Sequence, residues 1–590
     1  MGTGVQLCRG TVLLMDGMKI FANARVYTMS HSSSQMRTGQ YTGETLAEAL
    51  VVEGDKISFV GSVAETRDFV RSRLRDNSRV EEIDCGGGVI LPGFVDAHIH
   101  AMATAASRCE VDLRDCRSMR EAAHRIVEHA RRLPVGQWVT GGRWDANAWN
   151  DVVEPHRALL DELLPDRPVA VWSVDFHTLW LNAAALDYVG IDDATPDPPG
   201  GCIVRDERAA ITGVLKEEAA MRAARRFPVV PLAARIEQLR QAQQAWLAEG
   251  IIGVHDFDGG NSREAWRGLN ASGELLLHVV KYLRVEEWED AVMSGWKTGN
   301  REGSRFVQGG LKLFSDGALG SQTCHMSHPF PQPARDGSLN YGLQVSSRDT
   351  LADQVCQAYQ RGISVAIHAI GDQANHNVLH TFLRTEPQRL KAMQRTGVPL
   401  RPRLEHAQFM QLADVRLAAK LGVIASMQPR HCISDIPLLP LVEHNPGLVA
   451  YPWKDLSEKG VTIAFGSDAP VEPTNPFAAI YAAMTRASID GDPSTSFQPD
   501  RRISAYDAVR AHTVGAAYAA GIEQDTGVLA AGKNADFIIV DTDPFVTDEW
   551  GGNGMSGTYP SEESLFAHAS AVRDTSVNMT IAAGRVVYAR

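Results

Sequence analysis

The chain has 590 residues, 44% apolar and 22% charged, with 71 acidic against 58 basic side chains and a net charge of −13. That composition supplies a sizeable soluble core, and the acidic balance argues against a nucleic-acid or anionic-membrane partner, both of which need a positive surface. Eight scattered cysteines without a CxxC pair speak against a thiolate zinc site, a redox pair and a disulfide framework, no apolar run reaches the ~20 residues of a membrane span, and residues 11–15 are too short for a signal peptide, so a reduced, cytoplasmic protein is expected.

In chain order, residues 20–28 and 49–60 read as β-structure around a Gly-Asp turn, and residues 89–93 follow a glycine triplet. The stretch from 105 to 240 is too long for one connection. It carries several helices, a Trp-rich segment (Trp138, Trp144, Trp149) and a proline-rich turn at 196–201, and reads as an inserted subdomain or lid. Short apolar strands then alternate with helical stretches: 94–97, 253–256, 311–314, 363–367, 402–405, 422–426 and 461–465. Alternating β and α predicts a parallel sheet flanked by helices, and about eight such units close naturally into a (β/α)8 TIM barrel over residues 93–524. Residues 535–540 and 578–587 return to β character. Residues 1–92 and 525–590 therefore predict one composite β-sandwich, since chain ends commonly lie close together.

The chemistry starts at His98-Ile-His100, at the end of a strand. Residues i and i+2 of a strand share a face, so both imidazoles project together as two ligands of one metal, unless the pair sits in a surface loop. Lys312 stands inside the apolar run Gly310–Phe314, where an amine is costly to bury. A buried lysine is more often neutral, and its amine could take up CO2 as a carbamate, whose two oxygens could bridge two metal ions. His368, His406 and Asp468 each follow an apolar strand, the position from which barrels build their sites.

These residues sit in Leu91-Pro-Gly-Phe-Val-Asp-Ala-His-Ile-His100, Leu311-Lys-Leu-Phe-Ser-Asp-Gly-Ala-Leu-Gly320, Ile367-His-Ala-Ile-Gly-Asp372, Leu404-Glu-His-Ala407 and Gly466-Ser-Asp-Ala-Pro470. Together they resemble the amidohydrolase superfamily, and within it the long-chain branch that includes N-substituted formamide deformylases (amidohydrolase family 3). Asp175–Asn182 resembles that branch's lid motif, and Gly527–Asp536 its return to the terminal sandwich. The resemblance implies the barrel with its sandwich, and metal ligation by His98, His100, Lys312 as carbamate, His368, His406 and Asp468. The cofactor it implies is Zn2+, as one or two ions, another divalent metal remaining open. In the two-metal arrangement, His98, His100 and Asp468 hold one ion and His368 and His406 the other.

The expected reaction is hydrolysis of a C–N amide bond in a small N-substituted amide, such as a formamide, by metal-activated hydroxide, with Asp468 as the catalytic proton carrier. An ester, lactone, carbamate or cyclic amide presents the same carbonyl, so the ligands do not discriminate among them. A non-catalytic scaffold would have lost ligands, and every expected position is filled. Substrate contacts are expected from His177 and Trp180 in the lid, from Asp316 and Gln322 after the Lys312 strand, and from Gln428 and His431 after the strand ending at Ser426. His255 and Asp256 end another strand and face either the cavity or a structural hydrogen bond. Trp144 and Trp149 form either an aromatic wall or lid core. Glu405 could orient His406, although adjacent strand residues face opposite sides, and His376 reads as scaffold. The expected partner is a small-molecule amide, with neither nucleic acid nor membrane; barrels of this kind often pair, so a homo-oligomer such as a dimer is the expected assembly.

Overall fold

The structure is a computed structural model that describes residues 17–30, 47–74, 79–134, 136–146, 149–150, 155–173, 178–198, 201–333, 337–545 and 555–590. Residues 11–15, 175–177 and 199–200, which the sequence reading used, lie outside them. The chain forms two compact units, Met1–Ala101 with Leu239–Arg590, and Met102–Gln238. No helix among the described residues is long and apolar enough to cross a membrane.

In the larger unit, eight parallel strands pair in chain order: β1 (Phe94–Ile99), β2 (Ile251–Asp256), β3 (His278–Leu283), β4 (Phe306–Phe314), β5 (Val365–Ala369), β6 (Arg403–His406), β7 (Ile424–Met427) and β8 (Thr462–Phe465). This is the TIM barrel. Every residue of β1, β2 and β3 is buried, as expected of strands covered on both faces. β3 is not among the strands expected from the sequence, although residues 275–283 (LLLHVVKYL) form an apolar run of strand length. The ring closes at its rim: the Asp468 amide donates to the His98 carbonyl at 2.7 Å, and the His100 amide to the Ala469 carbonyl at 2.9 Å. Gly466 permits this approach, because a Cβ there would meet the His98 nitrogen at 2.3 Å.

The two ends of the chain share a β-sandwich. One sheet orders Lys56–Gly61, Ala49–Glu53, Gly17–Ala22 and Arg79–Asp84; the other orders Arg25–Val26, Val89–Pro92, Phe537–Val540, Val577–Ala582 and Arg585–Ala589. Phe21, Leu50, Val52, Ile90, Phe537 and Ile581 fill the space between them.

The smaller unit carries a six-stranded sheet that includes Val139–Trp144, Val169–Ser173 and Thr178–Leu181. Side chains alternate across the last strand. Trp180 faces one core with Trp144 and Trp149, while Leu179 and Leu181 face a second with Leu186 and Leu215. Asn182 ties the turn that follows: Oδ1 accepts from the Val169 and Ala185 amides, and Nδ2 donates to the Leu164 and Arg167 carbonyls. Thr178–Asn182 is thereby a structural element of this unit.

Candidate active site

The carboxy-terminal ends of the barrel strands bring His98 from β1, His100 just after it, Lys312 from β4, His368 from β5, His406 from β6 and Asp468 from the turn after β8 to one cavity of about 390 Å³. Asp468 is central. Its Oδ1 lies 3.6 Å from His98 Nε2 and 3.4 Å from His100 Nε2, and its Oδ2 lies 3.7 Å from His431 Nε2. The His406 ring lies 4.9 Å from that of His98 and 4.4 Å from that of His368, centre to centre.

Hydrogen bonds on the far side of each ring set which nitrogen faces inward. His98 Nδ1 pairs with Glu405 Oε2 at 2.6 Å, His100 Nδ1 with Asp258 Oδ1 at 3.0 Å, His406 Nδ1 with Gln428 Oε1 at 2.9 Å, and His368 Nε2 with the Gly317 carbonyl at 3.1 Å. All four partners are oxygen acceptors, so each ring donates there, and a neutral ring keeps a lone pair on its other nitrogen. Asp468 Oδ1 and His431 Nε2 are buried without a hydrogen-bond partner among the described residues. Two imidazole nitrogens and an orphaned carboxylate oxygen 3.4 and 3.6 Å apart match the spacing of ligands on one tetrahedral ion, roughly 3.4 Å for bonds near 2.1 Å. His98, His100 and Asp468, and likewise His406, His431 and Asp468, form compact donor sets. The residues present therefore fit a divalent metal ion.

The electrostatics agree. Burial, then the Lys312 charge, pushes His98 down to about 4, and burial with Lys312 pushes His368 down to about 3. Burial and the neighbouring His368 hold His406 well below the ordinary range. Neutral imidazole is the ligating form. His100 moves the other way, up to about 9, because Asp258 and Asp468 outweigh its burial; the negative field that does this is one that attracts a cation. Burial pushes Lys312 down to about 8, and its Nζ lies 3.4 Å from His98 Nε2, between the rings of Phe257 and Phe314.

A buried arginine carries this arrangement. Arg403 donates to Glu405, His255 Nδ1, the Tyr282 hydroxyl, the Ala97 carbonyl and Ser426, at 2.7–3.2 Å. It thus links β1, β2, β3, β6 and β7. Burial raises the Glu405 carboxyl, but Arg403 and the His98 hydrogen bond outweigh it and hold it well below the usual range. Glu405 orients His98, not His406. Adjacent residues of one strand serve the same cluster because the extended backbone ends at His406, where φ is +71°.

Several expected substrate contacts are corrected. Trp180 is wholly buried in the smaller unit's own core, with Trp144 and Trp149, which excludes it as a ligand contact. His177 lies outside the described residues. Asp316 accepts from the His325, Ile370 and Gly371 amides at 2.8–3.0 Å and braces the turn after β5. Gln428 positions His406, and Gln322 is not among the residues lining the cavity. His431 does line it. His255 is sealed under Arg403, and Asp256 accepts from Ser262, Trp266 and the Ala101 amide. Arg403 and Asp258 are not among the expected site residues; their one local signal is a charged residue in or just after an apolar strand. Phe314, Leu319, Ile370 and Val471 add apolar lining to the cavity, and Gln408 and Asp435 add polar lining.

The protein YtcJ of Bacillus subtilis is 31% identical over 516 residues, 85% of this chain and 93% of its own length. An N-substituted formamide deformylase of Arthrobacter pascens is 28% identical over 520 residues, 84% of this chain and 90% of its own. The crystal structure of an uncharacterized metal-dependent hydrolase from Pyrococcus furiosus superposes with a TM-score of 0.72 at 27% identity, covering 89% of this chain and 99% of that one. Residues 81–588 match the amidohydrolase family, and with that match the chain belongs to this family of metal-dependent hydrolases acting on C–N bonds.

Proposed function

We propose that the chain hydrolyses the C–N bond of a small N-substituted amide, an N-substituted formamide being the simplest case, with Zn2+ as one or two ions held by His98, His100, Lys312 as its carbamate, His368, His406 and Asp468. The observation that carries the reading is the orphaned Asp468 Oδ1, 3.4 and 3.6 Å from two imidazole nitrogens. A divalent ion there supplies Lewis acidity, polarising the carbonyl and acidifying water. Asp468 takes a proton from the attacking water and returns it to the departing nitrogen. The carbonyl carbon gains the water oxygen, the C–N bond breaks, and a carboxylic acid and an amine leave. An amine is a poor leaving group without that proton. Glu405, Asp258 and Gln428 keep the imidazoles aimed inward. His431 contacts substrate from the cavity wall, and the amine substituent packs on Phe314, Leu319, Ile370 and Val471. The 28% identity to an N-substituted formamide deformylase over 520 residues supports the choice of amide.

The test is a metal count on the purified protein together with a hydrolysis screen of N-alkyl and N-aryl formamides, the matching acetamides and the matching esters. Bound zinc with formamide turnover that chelator abolishes is expected. A metal-free protein, or turnover confined to esters, sinks the reading.

A further inference from the structure

A second set of donors lies in the helical layer, away from the strand ends. Helix α1 (Asp372–Thr396) follows β5, and helix α2 (Leu412–Leu421) lies after β6. His376 and His380 stand four residues apart on α1, hence on one face. Asp414 stands in the first turn of α2. His376 Nδ1 lies 3.1 and 3.3 Å from the two Asp414 oxygens, and the two imidazole rings are 4.2 Å apart. One donor atom from each of the three residues fits within 4.8 Å of the others.

Coordination describes this cluster better than an ordinary helix-to-helix hydrogen bond does. The Asp414 side chain is only 5% exposed, against 41% for His376. Among the described residues, its oxygens receive hydrogen bonds from His376 alone. In the first turn of a helix a carboxylate commonly caps amides; this one turns to the imidazoles. His380 gains nothing from the arrangement as a proton donor, and a second positive ring beside His376 is disfavoured by like charge. A divalent ion resolves both problems, since it takes the lone pairs of two neutral rings and neutralises the buried carboxylate. Two imidazoles and a carboxylate suit borderline first-row ions, Zn2+, Ni2+ or Cu2+, and the exposed side of His376 leaves room for water to complete the coordination.

We propose that His376, His380 and Asp414 form a second, peripheral site for a divalent transition-metal ion, tying α1 to α2 and distinct from the strand-end centre. Because α1 follows the strand bearing His368 and α2 lies just after the strand bearing His406, an ion there clamps the two helices that back these ligands. It adds stability by mass action and takes no part in turnover.

The experiment uses tag-free, full-length enzyme that retains its tightly held metal and has been desalted of loose ions. It is titrated with Ni2+ by calorimetry, and separately loaded with one equivalent of Cu2+ for electron paramagnetic resonance. One ion per chain beyond the tight complement is expected, with nitrogen hyperfine structure in the copper spectrum and a rise in Tm as Ni2+ is added. His376→Gln with His380→Gln should weaken that binding by on the order of tenfold or more and erase the Tm rise, leaving tight metal content and hydrolysis unchanged. His380→Gln alone and Asp414→Asn should give intermediate losses, and they keep the test alive if the double variant folds poorly. Absence of extra binding in the wild type overturns the proposal, as does equal affinity in the wild type and the double variant. Both outcomes are independent of whether the strand-end centre hydrolyses amides.

Discussion

The two ends of the barrel use buried charge in opposite ways. At the amino-terminal ends of β3 and β4, Asp536 is saturated. His278 Nε2 lies 2.8 Å from Oδ2, while Arg305 and the Ala583 amide donate to Oδ1 at 3.2 and 2.8 Å. Asp536 precedes the sandwich strand Phe537–Val540, so this network joins sandwich to barrel. At the carboxy-terminal end Asp468 is buried too, yet its Oδ1 has no hydrogen-bond partner among the described residues. A carboxylate with a donor on each oxygen holds layers together; a buried carboxylate oxygen left without a hydrogen bond beside two imidazole nitrogens marks a place for an ion. The same division separates stability from chemistry at the two faces of such barrels generally.

The sharpest way to break this comparison is Asp468→Asn. Turnover should fall by roughly 10²–10⁴, with most of the metal retained and Tm nearly unchanged; near-normal turnover would remove Asp468 from its role as proton carrier. Asp536→Ala should do the reverse. It leaves His278 and Arg305 without their buried counter-charge, a loss of about 3–5 kcal/mol of stability, seen as a lower Tm with kcat per folded enzyme intact. A drop in kcat without a drop in Tm would show that the two ends are not separate. Gln428→Met takes the acceptor from His406 and should cost about 10–100-fold in metal affinity, measured by competition with a chelator; unchanged affinity would mean His406 needs no brace.

The smallest expected effect is on acid stability. Burial raises the Asp536 carboxyl, but His278 and Arg305 outweigh that and hold it below its ordinary range. A depressed folded pKa stabilises above the unfolded value of about 3.9, and that contribution is lost as pH falls below it. Tm scanned from pH 6 down to about 3 should therefore fall less steeply in Asp536→Asn than in the wild type; parallel curves would assign the acid sensitivity to other carboxylates.

Much of the site is legible in the sequence because it obeys local rules. The two-residue period of a strand puts His98 and His100 on one face, and an amine inside Gly310–Phe314 is conspicuous against its apolar neighbours. The same rule misled at Glu405, since alternation holds only while the backbone stays extended, and it stops at His406. At Trp180 alternation yields two faces without saying what covers each; both are core.

The chain on its own determined which side chains stand at strand ends and that the strands alternate with helices, because both follow from periodicities of a few residues. Which oxygen receives each imidazole proton was decided only by closure of the barrel. Glu405 reaches His98 across 307 residues of sequence and Asp258 reaches His100 across 158, and Arg403 meets five strands at once. Such contacts depend on register around the whole ring, which no local window of sequence carries.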